Sequence, residues 1–301
     1  MTGSARSYRG RFAPSPTGPL HFGSLVAALG SYLDARSCGG EWLVRMEDVD
    51  IPRSVPGAAD SILRDLERFG LTWDGEVLVQ SRRDAVYADA IANLRRLDLV
   101  YDCGCSRRDL AGGVYPGTCR NGLAPGRSAR SVRLRTDDSA VSFDDRVQGL
   151  FAQRLESDVG DFVVYRADKL FAYHLAVTAD DALQQITDIV RGADLLDSTP
   201  RQIHLQRCLE LPTPRYAHLP VAVNRQGWKL SKQTFAEPVS TAPVAPLLLQ
   251  ALEFLGQAPE DALRRAGAGE ILDWGKKHWR LENVPREREI YWPGPAFGTP
   301  A

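Results

Sequence analysis

The sequence predicts an α/β fold: a Rossmann-type parallel sheet interrupted by a zinc-bearing α+β insertion and followed by a short helical C-terminal region. Three observations carry that expectation. A β-type run, a proline- and glycine-rich loop and an apolar helix follow one another from Arg11 to Ser37, and a strand follows at Glu41 to Met46. This order is the βαβ opening of a nucleotide-binding sheet. Far downstream, a strand at Leu219 to Val223 and a turn at Asn224 to Gly227 lead into Lys229-Leu230-Ser231-Lys232-Gln233. Between the two lie the clustered cysteines Cys103, Cys105 and Cys119.

Bulk properties set the frame. At 301 residues, with 44% hydrophobic and 25% charged residues, the chain is long enough for two or three compact units and a sizeable core. It has no apolar run long enough to span a bilayer, so no membrane partner is expected. Met1 to Tyr8 carries no apolar segment behind a basic start, so no secretory signal is visible and a cytoplasmic enzyme is expected. A net charge of −1 argues against coating nucleic acid through bulk charge, and any RNA contact must come from a local patch. Five cysteines make an odd count, which disfavours a disulfide framework. Cys38 and Cys208 read as core filler at helical apolar positions.

In the opening stretch Arg11-Phe12-Ala13-Pro14-Ser15-Pro16-Thr17-Gly18-Pro19-Leu20-His21-Phe22-Gly23-Ser24, the prolines stiffen the loop. Gly18 and Gly23 let the backbone approach a bulky ligand and leave the first helical N–H groups open to an anion. Leu25, Val26, Leu29, Tyr32 and Leu33 recur at helical spacing until Gly39-Gly40 ends the helix. Glu47, Asp48 and Asp50 follow the next strand at its carboxyl end, where open α/β sheets bind ligands, although a solvated acidic turn has the same composition.

Ile62, Leu63, Leu66 and Phe69 form one helix face, and Ser81 is placed to cap a second helix through Leu97. Neither carries chemistry. Tyr101-Asp102-Cys103-Gly104-Cys105 and, beyond a bend at Gly112-Gly113, Tyr115 and Cys119 put three thiols on two loops. That suggests a structural zinc ion, the alternative being reduced cysteines without metal. The fourth ligand is not evident from the residues alone, because no histidine lies nearby. Arg107, Arg108, Arg120, Arg127, Arg130, Arg133 and Arg135 make the segment basic, as an RNA-facing patch or as a solvated loop. Val132 to Arg135 and Phe162 to Tyr165 read as strands closing the insertion, and the sheet is expected to resume at Ile186 to Val190. Ser198-Thr199-Pro200 is a cap that starts a helix through Leu209. After residue 240, Val244 to Leu255 is an amphipathic helix, and a short helix is expected at Glu260 to Ala266.

The His21-Phe22-Gly23 helix start paired with Lys229-Leu230-Ser231-Lys232 resembles the two signatures of class I aminoacyl-tRNA synthetases. Arg11 to Gly18, Arg45-Met46-Glu47-Asp48-Val49-Asp50 and Arg191-Gly192-Ala193-Asp194 look like its glutamate branch, and the resemblance runs from about residue 8 to 240. Phe22, Ser24 and Gln233 depart mildly from the class pattern. The resemblance implies that His21, Lys229 and Lys232 are catalytic, with His21, Gly23 and Lys232 on ATP. It implies glutamate contacts from Arg11, Phe12, Ala13, Pro14, Ser15, Glu47, Tyr173 and Arg191. In these roles Glu47 accepts the ammonium group, and Arg191 with Tyr173 takes the γ-carboxylate. His174 has no motif support and reads as a packing residue.

The cysteine segment resembles the truncated glutamyl-Q branch, which implies one zinc ion held by Cys103, Cys105, Cys119 and, as an uncommon fourth ligand, Tyr115. The implied organisation is a discontinuous catalytic domain over 1–100 and 184–240, an inserted tRNA-contacting domain over 101–183, and a helical region over 241–301 without an anticodon-binding domain. The implied activity is ATP- and Mg²⁺-dependent, tRNA-independent activation of L-glutamate, then transfer to the cyclopentenediol of queuosine in the anticodon of tRNA(Asp), by a monomer. A short glutamyl-tRNA synthetase charging the 3′ end of tRNA(Glu), a small-molecule ligase of the same superfamily and a non-catalytic tRNA-binding module are the alternatives. Length, the arginine-rich insertion and the joint presence of His21, Lys229 and Lys232 disfavour them in turn.

Overall fold

In the computed structural model, which describes residues 7–106, 108–110, 113–230 and 238–294, strand β1 (Arg9–Phe12) leads through the proline loop into helix α1 (Phe22–Ser37) and strand β2 (Glu41–Met46). Helix α2 (Ala58–Arg68), strand β3 (Leu78–Val79) and helix α3 (Asp84–Arg96) complete this half. Then come strands β4 (Val100–Cys103), β5 (Ser131–Leu134), β6 (Ala140–Asp145) and β7 (Gly149–Arg154), the single turn α4 (Leu155–Asp158) and β8 (Phe162–Tyr165). Helix α5 (Tyr173–Leu183), β9 (Asp188–Gly192), α6 (Thr199–Cys208), β10 (Arg215–Leu219) and β11 (Val221–Val223) follow. The chain continues through α7 (Val244–Phe254), α8 (Ala268–His278) and β12 (Glu289–Tyr291).

Strands β1, β2 and β3 form a parallel sheet, with Arg9 opposite Glu41 and Phe12 opposite Val44. β9 and β10 form a parallel pair beside β1, and the Thr187 amide donates to the Arg9 carbonyl at 2.9 Å. The intervening elements are antiparallel: β4-β5-β8 in one sheet and the β6–β7 hairpin in another. The α/β class with a parallel sheet is therefore present. Helix α1 is buried on nearly every side rather than along a stripe, because the sheet lies on one flank and α7 and α8 on the other. A Cβ on Gly30 would stand 2.5 Å from Leu219 Cδ1, so glycine allows α1 to press against β10. Leu25, Leu29 and Leu33 are 0–1% exposed, each worth about 1.5–3 kcal/mol of burial. A second core joins Tyr87 and Leu94 of α3, Val132 and Leu134 of β5, and Ile189 and Tyr216 of the parallel pair.

Several local expectations change. The strand expected over Leu219 to Val223 is two strands, since Pro220 has no N–H to continue the ladder: β10 stays with β9, while β11 pairs with β12. Ser81 does not cap α3; its amide and hydroxyl donate to Asp48 at 2.8 and 2.6 Å, and Arg83 precedes the helix. Ser198 makes no side-chain cap, because a 3-10 turn (Ala193–Ser198) runs directly into α6. Cys38 is exposed at the end of α1 and is not core filler, whereas Cys208 is half-buried and packs against the second core. The helix expected at Glu260 to Ala266 is a 3-10 turn (Asp261–Arg265). Among the described residues, no helix is long and apolar enough to cross a membrane.

β12 lies parallel to β11, which feeds the lysine loop. The Trp292 amide donates to the Val223 carbonyl at 2.9 Å, and the Trp292 indole stacks on Phe22, with ring centroids 3.9 Å apart and planes 5° from parallel. One late segment thus grips both the strand before the lysine loop and the residue after His21.

Candidate active site

A cavity of about 770 Å³ opens where β1, β2 and β9 end, the expected place for ligands in such a sheet. Its wall includes Arg11 to Ser15, His21, Gly23, Glu47, Tyr173, Arg191, Trp228 and Lys229. The histidine turn and the described start of the lysine loop, Lys229 and Leu230, therefore line one pocket. They meet closely at Gly23, where an added Cβ would lie 3.3 Å from His21 Cε1 and 3.8 Å from the Leu230 carbonyl. Lys232, expected on ATP, lies outside the described residues, as do Gln233, Arg107 and Gly112.

His21 is the N-cap of α1, and its Nδ1 accepts from the Ser24 amide at 3.3 Å. The expectation that the first helical N–H groups stand open is corrected at Ser24, whose amide the histidine already engages. Gly18 has φ +138°, a conformation glycine tolerates, where the loop turns toward His21. Lys229 Nζ stands 2.5 Å from Asp194 Oδ2. Asp194 can fold back toward it because Gly192 has no Cβ, which would otherwise meet Asp194 Oδ1 at 2.4 Å.

The opposite wall is a buried network. Arg11 Nε donates to Asp181 Oδ1 at 3.1 Å, and Arg45 reaches Asp181 at 2.8 Å and Glu47 at 3.1 Å. Burial opposes the Asp181 charge, but Arg11 and Arg45 hold its carboxyl below the usual range. Burial pushes the Glu47 carboxyl up despite Arg45 and Arg11. Tyr173 opens α5 at the cavity, and burial, with the Glu47 charge, raises its phenol. His174 faces away from the wall, edge-on to Phe162 and Tyr173, and burial helped by Arg201 and Arg191 pushes it down to about 3.

Arg191 differs from the other two arginines. It is 5% exposed, its Nε donates to His218 Nε2 at 3.0 Å and its Nη2 to Thr199 Oγ1 at 2.8 Å, and no carboxylate pairs with it among the described residues. Its Nη1 is buried without a hydrogen-bond partner. A buried unpaired donor is costly, so this nitrogen lacks an acceptor within the protein.

Cys103, Cys105 and Cys119 bring their sulfurs within 4.8 Å of one another. Cys105 and Cys119 Sγ are 3.7 Å apart, and the Tyr115 hydroxyl is 3.5 Å from Cys103 Sγ and accepts from the Cys119 amide at 2.9 Å. A tetrahedral zinc ion with bonds of about 2.3 Å separates its sulfurs by about 3.8 Å, so the donor set fits a metal ion. Burial works to raise the Cys103 thiol, but the Tyr115 hydroxyl, the Cys105 amide and Arg133 overcome it and bring it to about 7. Burial and the neighbouring thiols push Cys105 up to about 11.

Comparison with known proteins decides the family. The model of tRNA synthetases class I (E and Q), catalytic domain, matches residues 7–113 and 118–258. The chain is 60% identical to the glutamyl-Q tRNA(Asp) synthetase of Dechloromonas aromatica, covering 95% of this chain and 98% of that one. It is 56% identical to that of Aromatoleum aromaticum, covering 99% and 96%. The chain belongs to the glutamyl-Q tRNA(Asp) synthetases. Its fold is also that of the glutamate-tRNA synthetase of Elizabethkingia anophelis, with a TM-score of 0.78 at 24% identity over 95% of this chain and 68% of that one.

Within this synthetase family frame, the basic segment of the insertion is less open to RNA than its composition suggests. Arg120 is bound to Asp161 at 2.6 Å and Glu156 at 2.9 Å. Arg133 is buried, 3.8 Å over the Tyr115 ring and 3.3 Å from Cys103 Sγ. Arg133 thus touches the cysteine site directly and Arg120 is committed to acids, whereas Arg108 and Arg130 are exposed. Sequence reasoning missed Asp181, Asp145, His218 and Thr199. The one available signal was the acidic doublet Asp180-Asp181 inside an otherwise apolar helix.

Proposed function

We infer that the protein activates L-glutamate with ATP in the absence of tRNA and esterifies it to the cyclopentenediol of queuosine in the anticodon of tRNA(Asp). A glutamate α-carboxylate oxygen attacks the α-phosphorus of ATP, which enters as its magnesium complex. The bond to pyrophosphate breaks and glutamyl-adenylate remains. A hydroxyl of the cyclopentenediol then attacks the activated carbonyl, AMP leaves and the hydroxyl proton is lost. Such chemistry rests mainly on positioning and charge stabilisation.

The observation that supports the reading is the cavity lined by the histidine turn, Lys229 and Arg191, whose Nη1 is buried without a hydrogen-bond partner. In this reading His21, Gly23, Lys229 and Lys232 serve the nucleotide. Arg191 and Tyr173 take the side-chain carboxylate, Glu47 the ammonium group, and Arg11 to Ser15 the flank. Cys103, Cys105, Tyr115 and Cys119 hold one structural zinc ion that ties two loops together. A discontinuous catalytic domain at 1–100 and 184–240, an inserted tRNA-contacting domain at 101–183 and a helical region from 241 complete it. In this reading the enzyme is cytoplasmic and works as a monomer.

The test is to incubate the protein with ATP and labelled glutamate, then offer tRNA(Asp) with and without queuosine, and tRNA(Glu). Label confined to queuosine-bearing tRNA(Asp) is expected. Label on tRNA(Glu) alone would replace this acceptor with the other.

A further inference from the structure

Arg191 owes its orientation to residues behind it. Its Nε–H donates to His218 Nε2 at 3.0 Å, so that nitrogen must carry a lone pair. The other ring nitrogen, Nδ1, is 2.6 Å from Asp145 Oδ2, a carboxylate that accepts and does not donate. These two contacts together demand one form of the ring: neutral, with its proton on Nδ1. His218 and Asp145 are fully buried, and water has no part in the choice.

Asp145 is itself fixed. Its Oδ1 accepts from the amides of Val147, Gln148 and His218 at 3.1, 2.9 and 3.0 Å, at the turn of the β6–β7 hairpin. On the far side, Arg191 Nη2 donates to Thr199 Oγ1 at 2.8 Å, and the Thr199 hydroxyl lies 3.2 Å from His218 Nε2 and 3.3 Å from the Leu195 carbonyl, either of which can take its proton. Two of the three guanidinium nitrogens are thus committed to fixed acceptors, and Nη1 is left over.

We propose that Asp145 and His218 are positioning residues for glutamate: by fixing the ring's proton on Nδ1 they set the rotation of the Arg191 guanidinium and present Nη1 to the substrate's side-chain carboxylate. The proposal rests on the assignment of Arg191 to that carboxylate. The charges around the ring favour it. Burial lowers His218 first, Asp145 pulls the other way, and the Arg191 charge adds to the lowering against Asp194, leaving it at about 4. The ring stays neutral near neutral pH, and a positive charge never faces Arg191 from behind.

Asp145→Asn is the direct test. The asparagine Oδ1 keeps the three backbone amides, so its NH₂ faces His218 Nδ1 and drives the ring proton to Nε2, against the Arg191 Nε–H. In ATP–pyrophosphate exchange, the glutamate KM is expected to rise about tenfold, the scale of one lost hydrogen bond to a charged group. The ATP KM and the kcat at saturating glutamate should change by less than about twofold. Thr199→Val, which removes the Nη2 acceptor, should act in the same direction. Ring ¹⁵N shifts of the unsubstituted protein give a readout independent of any variant: Nδ1 protonated and Nε2 bare between pH 6 and 8, about two units or more above the ring's titration. A proton on Nε2, or a folded Asp145→Asn protein with an unchanged glutamate KM, overturns the proposal. If Arg191→Gln raises the glutamate KM while Asp145→Asn does not, only the positioning role falls. If Arg191→Gln also leaves it unchanged, the assignment of Arg191 falls and the proposal with it.

Discussion

Lys229 Nζ lies 2.5 Å from Asp194 Oδ2 at the mouth of the cavity, so a lysine assigned to pyrophosphate is already engaged by an acid. Both side chains are partly exposed, and pairs of this kind are worth about 0–1 kcal/mol. Phosphate oxygens can therefore displace the carboxylate cheaply. Asp194→Asn is expected to lower the ATP KM by about two- to fivefold, most clearly at low salt. ATP-dependent exchange kinetics at two ionic strengths will show it; a rise in KM would instead make Asp194 a nucleotide contact.

Lys232 sits three residues further along, outside the described residues. The charge it is assigned to meet grows as pyrophosphate leaves, so it should act on the rate more than on binding. Lys232→Ala is expected to lower the rate of glutamyl-adenylate formation by about a hundredfold, with glutamate affinity changed far less. Single-turnover pyrophosphate release beside glutamate titration separates the two, and a pure loss of glutamate affinity would refute the role.

Asp181 holds two arginines, and neither Arg11 nor Arg45 is more than 3% exposed. Removing its charge strands buried cations, at a cost of about 3 kcal/mol or more. Asp181→Asn should lower the Tm by about 5 °C or more at pH 7. The acid's folded pKa is depressed, so its contribution is present above its unfolded value near about 3.9 and fades as pH falls through the folded value. The gap between variant and parent should therefore be widest at neutral pH and close in acid. Thermal melts from pH 7 down to about 3 check both the size and the sign.

The cysteine site predicts metal content. About one zinc ion per chain is expected, and a strong chelator should release it and lower the Tm. Cys119→Ser should abolish retention. Tyr115→Phe, which removes only the hydroxyl, is expected to weaken zinc about tenfold or more if the phenol is a ligand. Metal analysis after dialysis against a graded chelator distinguishes a ligand from a bystander: unchanged retention would leave Tyr115 as packing beneath Arg133.

Local signals were enough where local chemistry decides. The bounds of α1 follow from His21 at one end and Gly39-Gly40 at the other, and β2 from its apolar run. They fail where a distant partner decides. Ser81 looks like a cap until Asp48 takes both its donors. The β6–β7 hairpin was missed because one face of β7 is open to solvent and Leu150 is 81% exposed, so its pattern resembles a loop. That hairpin delivers Asp145 to His218, a contact between residues 73 apart that no spacing rule announces. Arg191 was legible by resemblance, but its free nitrogen was not, because that depends on what His218 and Thr199 occupy.

The stack of Trp292 on Phe22, together with β12 on β11, has a consequence for biosynthesis. A ribosome emits His21 early and Lys229 much later, yet the piece that clamps their neighbourhoods together is translated later still. Until residue 292 clears the exit tunnel, the nascent polypeptide has both turns but lacks the clasp between them. The contact that holds the two turns together is therefore made only after residue 292 has left the ribosome.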